Sequence, residues 1–245
     1  MFIAFQFYNI IINIIIFYIM EENGYIIIRD AIKYPSLKLR RLIKDSRAHS
    51  NTMWNLRFEV KKHYEKIWNT KELVSCFGGN NIDAPIFSLP WHVDQNRTHG
   101  NNMRCVQGIL ALTKSDSTQL LCGSHKYFKS MSYRCTSNNP YEWESYEIPD
   151  TDYIWKKGLK IVTPKLNPGD LLIFDSRLVH RVIETTPRTV VYISMVPRIF
   201  LSNLIERLRK KAYKRNIITT HWCEKVIQQG QDSPIQKNLK FNSLI

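Results

Sequence analysis

Between residues 85 and 197 the chain lays down short β-branched runs separated by turn residues: PIFSLPW, CVQGILALT, TQLLC, LKIVTP, DLLIFD, LVHRVIE and RTVVYISMV. Residues of this type suit a pleated, half-buried surface. Turn signals at this spacing predict an antiparallel sandwich or barrel and exclude a regular βαβ array. Ahead of these runs, GYIIIRD at 24–30 predicts a first strand. From Pro35 to about Asn69 apolar residues recur at three- and four-residue spacing, which predicts helix. The stretch LIERLRKKAYKR, beginning at Leu204, predicts a return to helix. The expected class is mainly β with flanking helices (α+β).

A chain of 245 residues can close around one large core. The expected division is a hydrophobic segment at 1–19, a folded domain at 20–225 and a polar tail at 226–245. The first twenty residues, MFIAFQFYNIIINIIIFYIM, carry no charge and are about long enough to span a bilayer. Gln6, Asn9 and Asn13 interrupt them, no basic flank precedes them, and Glu21–Glu22 follow. Three readings stay open: a membrane anchor through residues 1–20, a buried leading helix, or an extension upstream of a native start at Met20. A charged leader with a small-residue cleavage site is missing, so a signal peptide is a poor match. The stretch 126–158, with YEWESYE inside it, has no clean period and predicts a long loop or insertion over one end of the sandwich, a common place for substrate contacts.

The net charge of +14 suits an anionic partner such as nucleic acid, a membrane or an anionic small molecule. RLRKKAYKR concentrates six Lys/Arg within 207–215 and could dock nucleic acid. The simpler reading, a solvated helix face, is preferred. The five cysteines (Cys76, Cys105, Cys122, Cys135, Cys223) are scattered and never form CxxC, so neither a zinc framework nor a disulfide scaffold is legible. An intracellular, cytoplasmic setting is expected, with a membrane-anchored form if the leading segment inserts.

The chemistry is concentrated in WHVDQNR at 91–97. In an extended segment alternate residues share a face, so His92 and Asp94 project together. One imidazole and one carboxylate side by side can serve as two adjacent ligands of an octahedral metal. Downstream, PGDLLIFDSRLVHR at 168–181 gives a turn, an apolar strand, a polar break and then His180. A histidine on a neighbouring strand completes a 2-His-1-carboxylate triad, which leaves positions open on Fe(II). Arg188, eight residues later, can pair with the far carboxylate of a chelating diacid.

The order HxD, then GSH at 123–125, then PGD, an apolar strand, DSRxxH and Arg resembles the phytanoyl-CoA dioxygenase family of Fe(II)/2-oxoglutarate oxygenases, over roughly residues 20–200. The resemblance implies a double-stranded β-helix (jelly-roll, cupin-like) core. It implies Fe(II), 2-oxoglutarate and O2 as cofactor and cosubstrates, with His92, Asp94 and His180 on iron and Arg188 on the 2-oxoglutarate carboxylate. Gln107, polar in an apolar run, would face the cosubstrate or the ligands, or be an amide satisfied by backbone. Family members often carry a hydroxyl two positions after the arginine. Here that position is Val190, so help would have to come from Thr189, Tyr192 or Ser194. THW at 220–222 resembles some members less firmly, and His221 itself, with His49, His63, His99 and His125, is expected to be non-catalytic. The implied activity is hydroxylation of a C–H bond in a small molecule, with release of succinate and CO2. The alternatives are a nucleic-acid- or nucleotide-modifying oxygenase and a non-catalytic jelly-roll binding protein.

Overall fold

A computed structural model describes residues 15–33, 37–44, 49–86, 88–95, 100–132, 146–150, 152–183, 185–219 and 221–223. His99, Cys135, most of YEWESYE, residues 1–14 and the tail 226–245 lie outside the described residues, as do the expectations attached to them.

Two antiparallel sheets form the body. The larger runs in the order β1 (Tyr25–Ile28), β9 (Leu171–Asp175), β5 (Val106–Ala111), β11 (Thr185–Pro197), β2 (Leu73–Ser75), with β3 (Asn80–Ile86) also paired to β11. The smaller runs β7 (Tyr146–Glu147), β4 (Leu89–Val93), β10 (His180–Val182), β6 (Thr118–Leu121), β8 (Ile161–Val162). This is the double-stranded β-helix expected from the sequence, and strands distant in sequence are neighbours in it.

The larger sheet is buried on both faces, and strand alternation divides its side chains cleanly. Ile26 and Ile28 of β1, Val106 and Leu110 of β5, Leu171 and Ile173 of β9 and Val191, Ile193 and Met195 of β11 pack outward against helices. Ile109, Ala111, Leu172, Phe174 and Val190 turn inward with Leu120 of the smaller sheet. The functional cavity opens on this inner side.

The helical layer is built from α1 (residues 15–23), α2 (Leu37–Lys44) and α3 (Asn51–Trp68). The helical pattern read over 35–69 is carried by two helices, α2 and α3. Ser50 starts α3 by accepting a hydrogen bond from Met53 N, and Asn69 ends it in the left-handed region at φ 50°. α3 is fixed across the sheet by Tyr64 Oη donating to Ile193 O (2.6 Å) and Trp68 Nε1 donating to Met195 O (3.0 Å). Position 108 has to be glycine there, because a Cβ would lie 2.8 Å from Ile193 O and run into the Tyr64 hydroxyl. In α1, Ile16 and Met20 are buried in the same cluster, while Ile15, Phe17 and Tyr18 are exposed. Among the described residues no helix is long and apolar enough to cross a membrane.

Several boundaries differ from the sequence reading. PIFSLPW, read as one strand, is the crossing between β3 of one sheet and β4 of the other. The β2 strand was missed because three residues carry no period. The stretch 126–158, read as a long loop or insertion, contains α4 (Phe128–Ser132) and β7, and β7 pairs with His92–Val93 at the edge of the smaller sheet.

α5 (Asn203–Lys214) packs Ala212 and Tyr213 into a cluster with Trp54 and Phe77. Of the six cations at 207–215, Arg209 is fully buried and spends its guanidinium on Ser75 O and Cys223 O, so it cannot serve a nucleic-acid face. His49 is enclosed by the rings of Trp54, Phe77 and Tyr213, donates Nε2–H to Ile217 O (2.7 Å), and buries Nδ1 without a partner. Burial, with the Arg57 and Arg209 charges adding to it, lowers its pKa from 6.5 to about 4. A folded pKa below the unfolded one gives stability that is complete above pH 6.5 and is lost as the pH falls toward 4. The loss due to His49 should reach about 3 kcal/mol. Urea unfolding between pH 7.5 and 4.5 should show this slope, and His49→Phe should flatten it.

Candidate metal centre

β10 lies between β4 and β6, and its register with β4 puts His180 directly opposite His92. Their rings are 4.2 Å apart between centroids. Asp94 follows β4 and turns back toward both, with Oδ1 3.6 Å from His92 Nε2 and Oδ2 3.3 Å from His180 Nε2. All three residues offer a ligand atom within 4.8 Å of the others, the distance range of a shared metal ion.

Each imidazole is fixed by the same local device. His92 Nδ1 lies 2.8 Å from Pro90 O, and His180 Nδ1 lies 2.9 Å from Leu178 O. A carbonyl can only accept, so Nδ1 carries the proton and Nε2 presents its lone pair to the centre. Phe174 covers His180 from the larger sheet at 4.9 Å.

The carboxylate is held from several sides. Gln107 Nε2 donates to Asp94 Oδ2 at 2.7 Å, so of the roles considered for Gln107 the structure shows contact with the triad. Asp94 N and Gln95 N both donate to Ser176 O (3.1 and 2.9 Å), which ties the HxD turn to the DSR turn that leads into His180. Gln95 is fully buried: its Oε1 accepts from Ser176 Oγ and Arg104 N, and its Nε2 bridges Gly100 O and Asn102 O. The GSH turn contributes through Ser124, whose Oγ accepts from Val179 N at 2.8 Å, next to His180. His125 ties that turn to the helical layer, donating Nε2–H to Glu21 O of α1.

Burial works to raise the Asp94 pKa, but the charges of His221, His180 and His92 outweigh it and hold the carboxyl well below the usual range. For His92 burial and the neighbouring His180 lower the pKa. For His180 burial also acts to lower it, yet the Asp94 carboxylate prevails and the pKa is raised. An ionised carboxylate between two imidazoles that offer their Nε2 atoms is the donor set that fits a ferrous ion.

Across a cavity of about 360 Å³, Arg188 stands on the inner face of β11. It is 2% exposed; Nη1 donates to Ser115 Oγ (2.7 Å), Nη2 to Tyr192 Oη (3.3 Å), and Nε is buried without a partner. Of the helpers considered for the missing hydroxyl at 190, Tyr192 is in place. Thr189 turns away, its N–H donating to Thr113 Oγ1, and Ser194 lines the same cavity. Ser115 was not foreseen. Among the described residues no carboxylate lies within ion-pair distance of Arg188, and burial lowers its pKa against the opposing influence of Tyr192 and Asp116. A buried guanidinium left with hydroxyl partners is completed by an anion, and 2-oxoglutarate fits that requirement.

His221, left outside the site by the sequence reading, is brought to it by the fold. The segment after α5 returns to the cavity, placing Thr219 and His221 in its wall and His221 Nε2 3.2 Å from Asp94 O. Three scattered cysteines converge behind it: Cys76 Sγ lies 2.7 Å from Cys223 Sγ, and Cys76 and Cys105 both donate to His221 O. All three are free thiols.

The fold and this centre define an Fe(II)/2-oxoglutarate-dependent oxygenase. Residues 79–182 match the phytanoyl-CoA dioxygenase (PhyH) family model, which bears out the resemblance read from the sequence. The matched stretch contains His92, Asp94, Gln107 and His180 and ends before Arg188 and His221. "Ava biosynthesis cluster protein O" of Aspergillus versicolor is 26% identical over 212 residues, 76% of this chain and 68% of that protein. Among solved structures, the epimerase SnoN in complex with Fe3+, alpha ketoglutarate and nogalamycin RO superposes with a TM-score of 0.56 at 14% identity, covering 75% of this chain and 83% of that one. EctD from S. alaskensis with 2-oxoglutarate and 5-hydroxyectoine superposes with a TM-score of 0.51 at 14% identity, covering 90% and 85%. These structural likenesses carry the fold.

Loss of a bidentate charge pair costs about 1.5–3 kcal/mol, so Arg188→Gln should weaken 2-oxoglutarate binding on the order of tenfold or more. Ser115→Ala should weaken it less. Titration calorimetry with the divalent-metal-loaded protein under nitrogen checks both.

Proposed function

We propose that the chain hydroxylates a C–H bond of a small organic molecule, converting 2-oxoglutarate to succinate and CO2, with His92, Asp94 and His180 as the iron ligands and Arg188 as the 2-oxoglutarate anchor. The observation that carries this reading is the convergence of three ligand atoms within 4.8 Å at one end of a cavity that has a buried, carboxylate-free guanidinium in its wall. Bound iron with 2-oxoglutarate and O2 supplies the oxidising power for C–H cleavage.

The chain's own residues do the rest. The two Nδ1–H bonds to Pro90 O and Leu178 O keep both Nε2 atoms aimed inward and unprotonated. Gln107 restrains the Asp94 carboxylate from rotating out of the triad. Arg188, with Tyr192 and Ser115, orients the dicarboxylate. Ile109, Phe174 and Val182 make part of the wall apolar, which keeps water from the reacting atoms. Leu89, Thr118 and Thr219 add neutral surface. After 2-oxoglutarate is seated, the space that remains suits a compact organic group better than a folded macromolecule.

Under air, with Fe(II) and 2-oxoglutarate, the purified chain should form succinate, and a metabolite extract containing its substrate should raise the rate and yield a product heavier by one oxygen. His92→Ala should reduce succinate formation to background. Product of unchanged mass with altered stereochemistry would replace hydroxylation by epimerisation. Absence of succinate with every extract would remove the enzymatic reading.

A further inference from the structure

Asp94 is the one carboxylate of the triad, and it lies at the start of a turn, where a backbone has more freedom than in a strand. Its N–H is fixed by Ser176 O and its side chain by Gln107. The remaining polar group of the residue, its carbonyl oxygen, receives His221 Nε2 at 3.2 Å. A carbonyl can only accept, so His221 donates here whatever its charge. The three contacts come from the DSR turn, from β5 and from the segment following α5.

That third segment is anchored as firmly as a core strand. Phe77 N donates to Thr219 Oγ1 (2.7 Å), and Cys76 and Cys105 donate to His221 O (2.6 and 3.2 Å). Arg209, fully buried, donates to Cys223 O (3.0 Å), and Trp222 is buried at 1% exposure. The backbone of His221 is thus held on one side by thiols while its ring reaches the carboxylate residue and the cavity wall on the other. A segment that served only to cover β2 would not need a donor aimed at Asp94.

We infer that His221 is a positioning residue: its Nε2–H holds the Asp94 peptide and thereby the carboxylate in register with His92 and His180. The inference rests on the metal-site reading above. Outer partners of this kind commonly change metal affinity by 10–100-fold.

Anaerobic titration of the metal-free full chain with Co(II), followed by its visible d–d absorption, tests it. Two variants are compared with wild type: His221→Phe, which keeps the ring contact with Trp222 but has no donor, and His221→Gln, whose amide can still donate. His221→Phe should keep the wild-type melting temperature, bind Co(II) about ten- to hundredfold more weakly and show an altered d–d spectrum. His221→Gln should recover most of the affinity. Wild-type affinity and spectrum in His221→Phe would overturn the inference. So would equal loss in both variants together with a lowered melting temperature, since that marks the residue as structural filler. His92→Ala separates the two readings: if it binds Co(II) as wild type does, the metal site itself is wrongly placed, whereas its failure to bind alongside a fully competent His221→Phe rejects the role of His221 alone.

Discussion

One rung of antiparallel pairing, His180 of β10 against His92 of β4, determines the geometry of the centre. Side chains alternate faces along a strand, so a slip of one residue would send one imidazole to the opposite face and abolish the pair. The rung is protected on both flanks: β6 pairs with β10 through His180–Leu120, and β7 pairs with β4 through His92–Glu147. The irregularity between His180 and Val182 lies just beyond the rung, so it can re-aim the strand without disturbing the two histidines.

The two turns that end these strands are joined to each other as well. Ser176 O accepts from consecutive N–H groups of Asp94 and Gln95, and the Gln95 amide then gathers Arg104 N, Gly100 O and Asn102 O. An uncharged, buried amide with each of these partners satisfied is cheap to bury and rigid. Arg188 is the opposite case. Its burial with hydroxyl neighbours leaves a cationic site whose cost an incoming anion would offset, and the proposed dicarboxylate anchor rests on that.

Much of the fold was legible because β-branched runs and turn residues mark strands directly, and the larger sheet's inward and outward faces follow from period two. His92, Asp94, His180 and Arg188 stood out because they fall at fixed points of that strand pattern, and the structure brings the first three together with Arg188 in the wall of the same cavity. PIFSLPW misled because one polar residue, Ser88, in an otherwise apolar stretch does not mark that β3 ends at Ile86 and β4 of the other sheet begins at Leu89. Ser115, Gln95 and Ser176 left no signal, since each acts through one hydrogen bond to a residue far away in sequence. His221 was left out of the site for a related reason: its approach to Asp94 is created by the docking of α5, with Arg209 buried between Ser75 and Cys223, and no local pattern reports such a contact. The gathering of Cys76, Cys105 and Cys223 arises from that same docking.

The central claim is that two imidazoles and one carboxylate hold a single ferrous ion with 2-oxoglutarate beside it. Mixing the metal-free chain with Fe(II) and then 2-oxoglutarate under nitrogen measures this directly. The account predicts a weak visible charge-transfer band that saturates at one iron per chain and needs both additions. No band, or a band of equal strength when Asp94 is replaced by alanine, would contradict it.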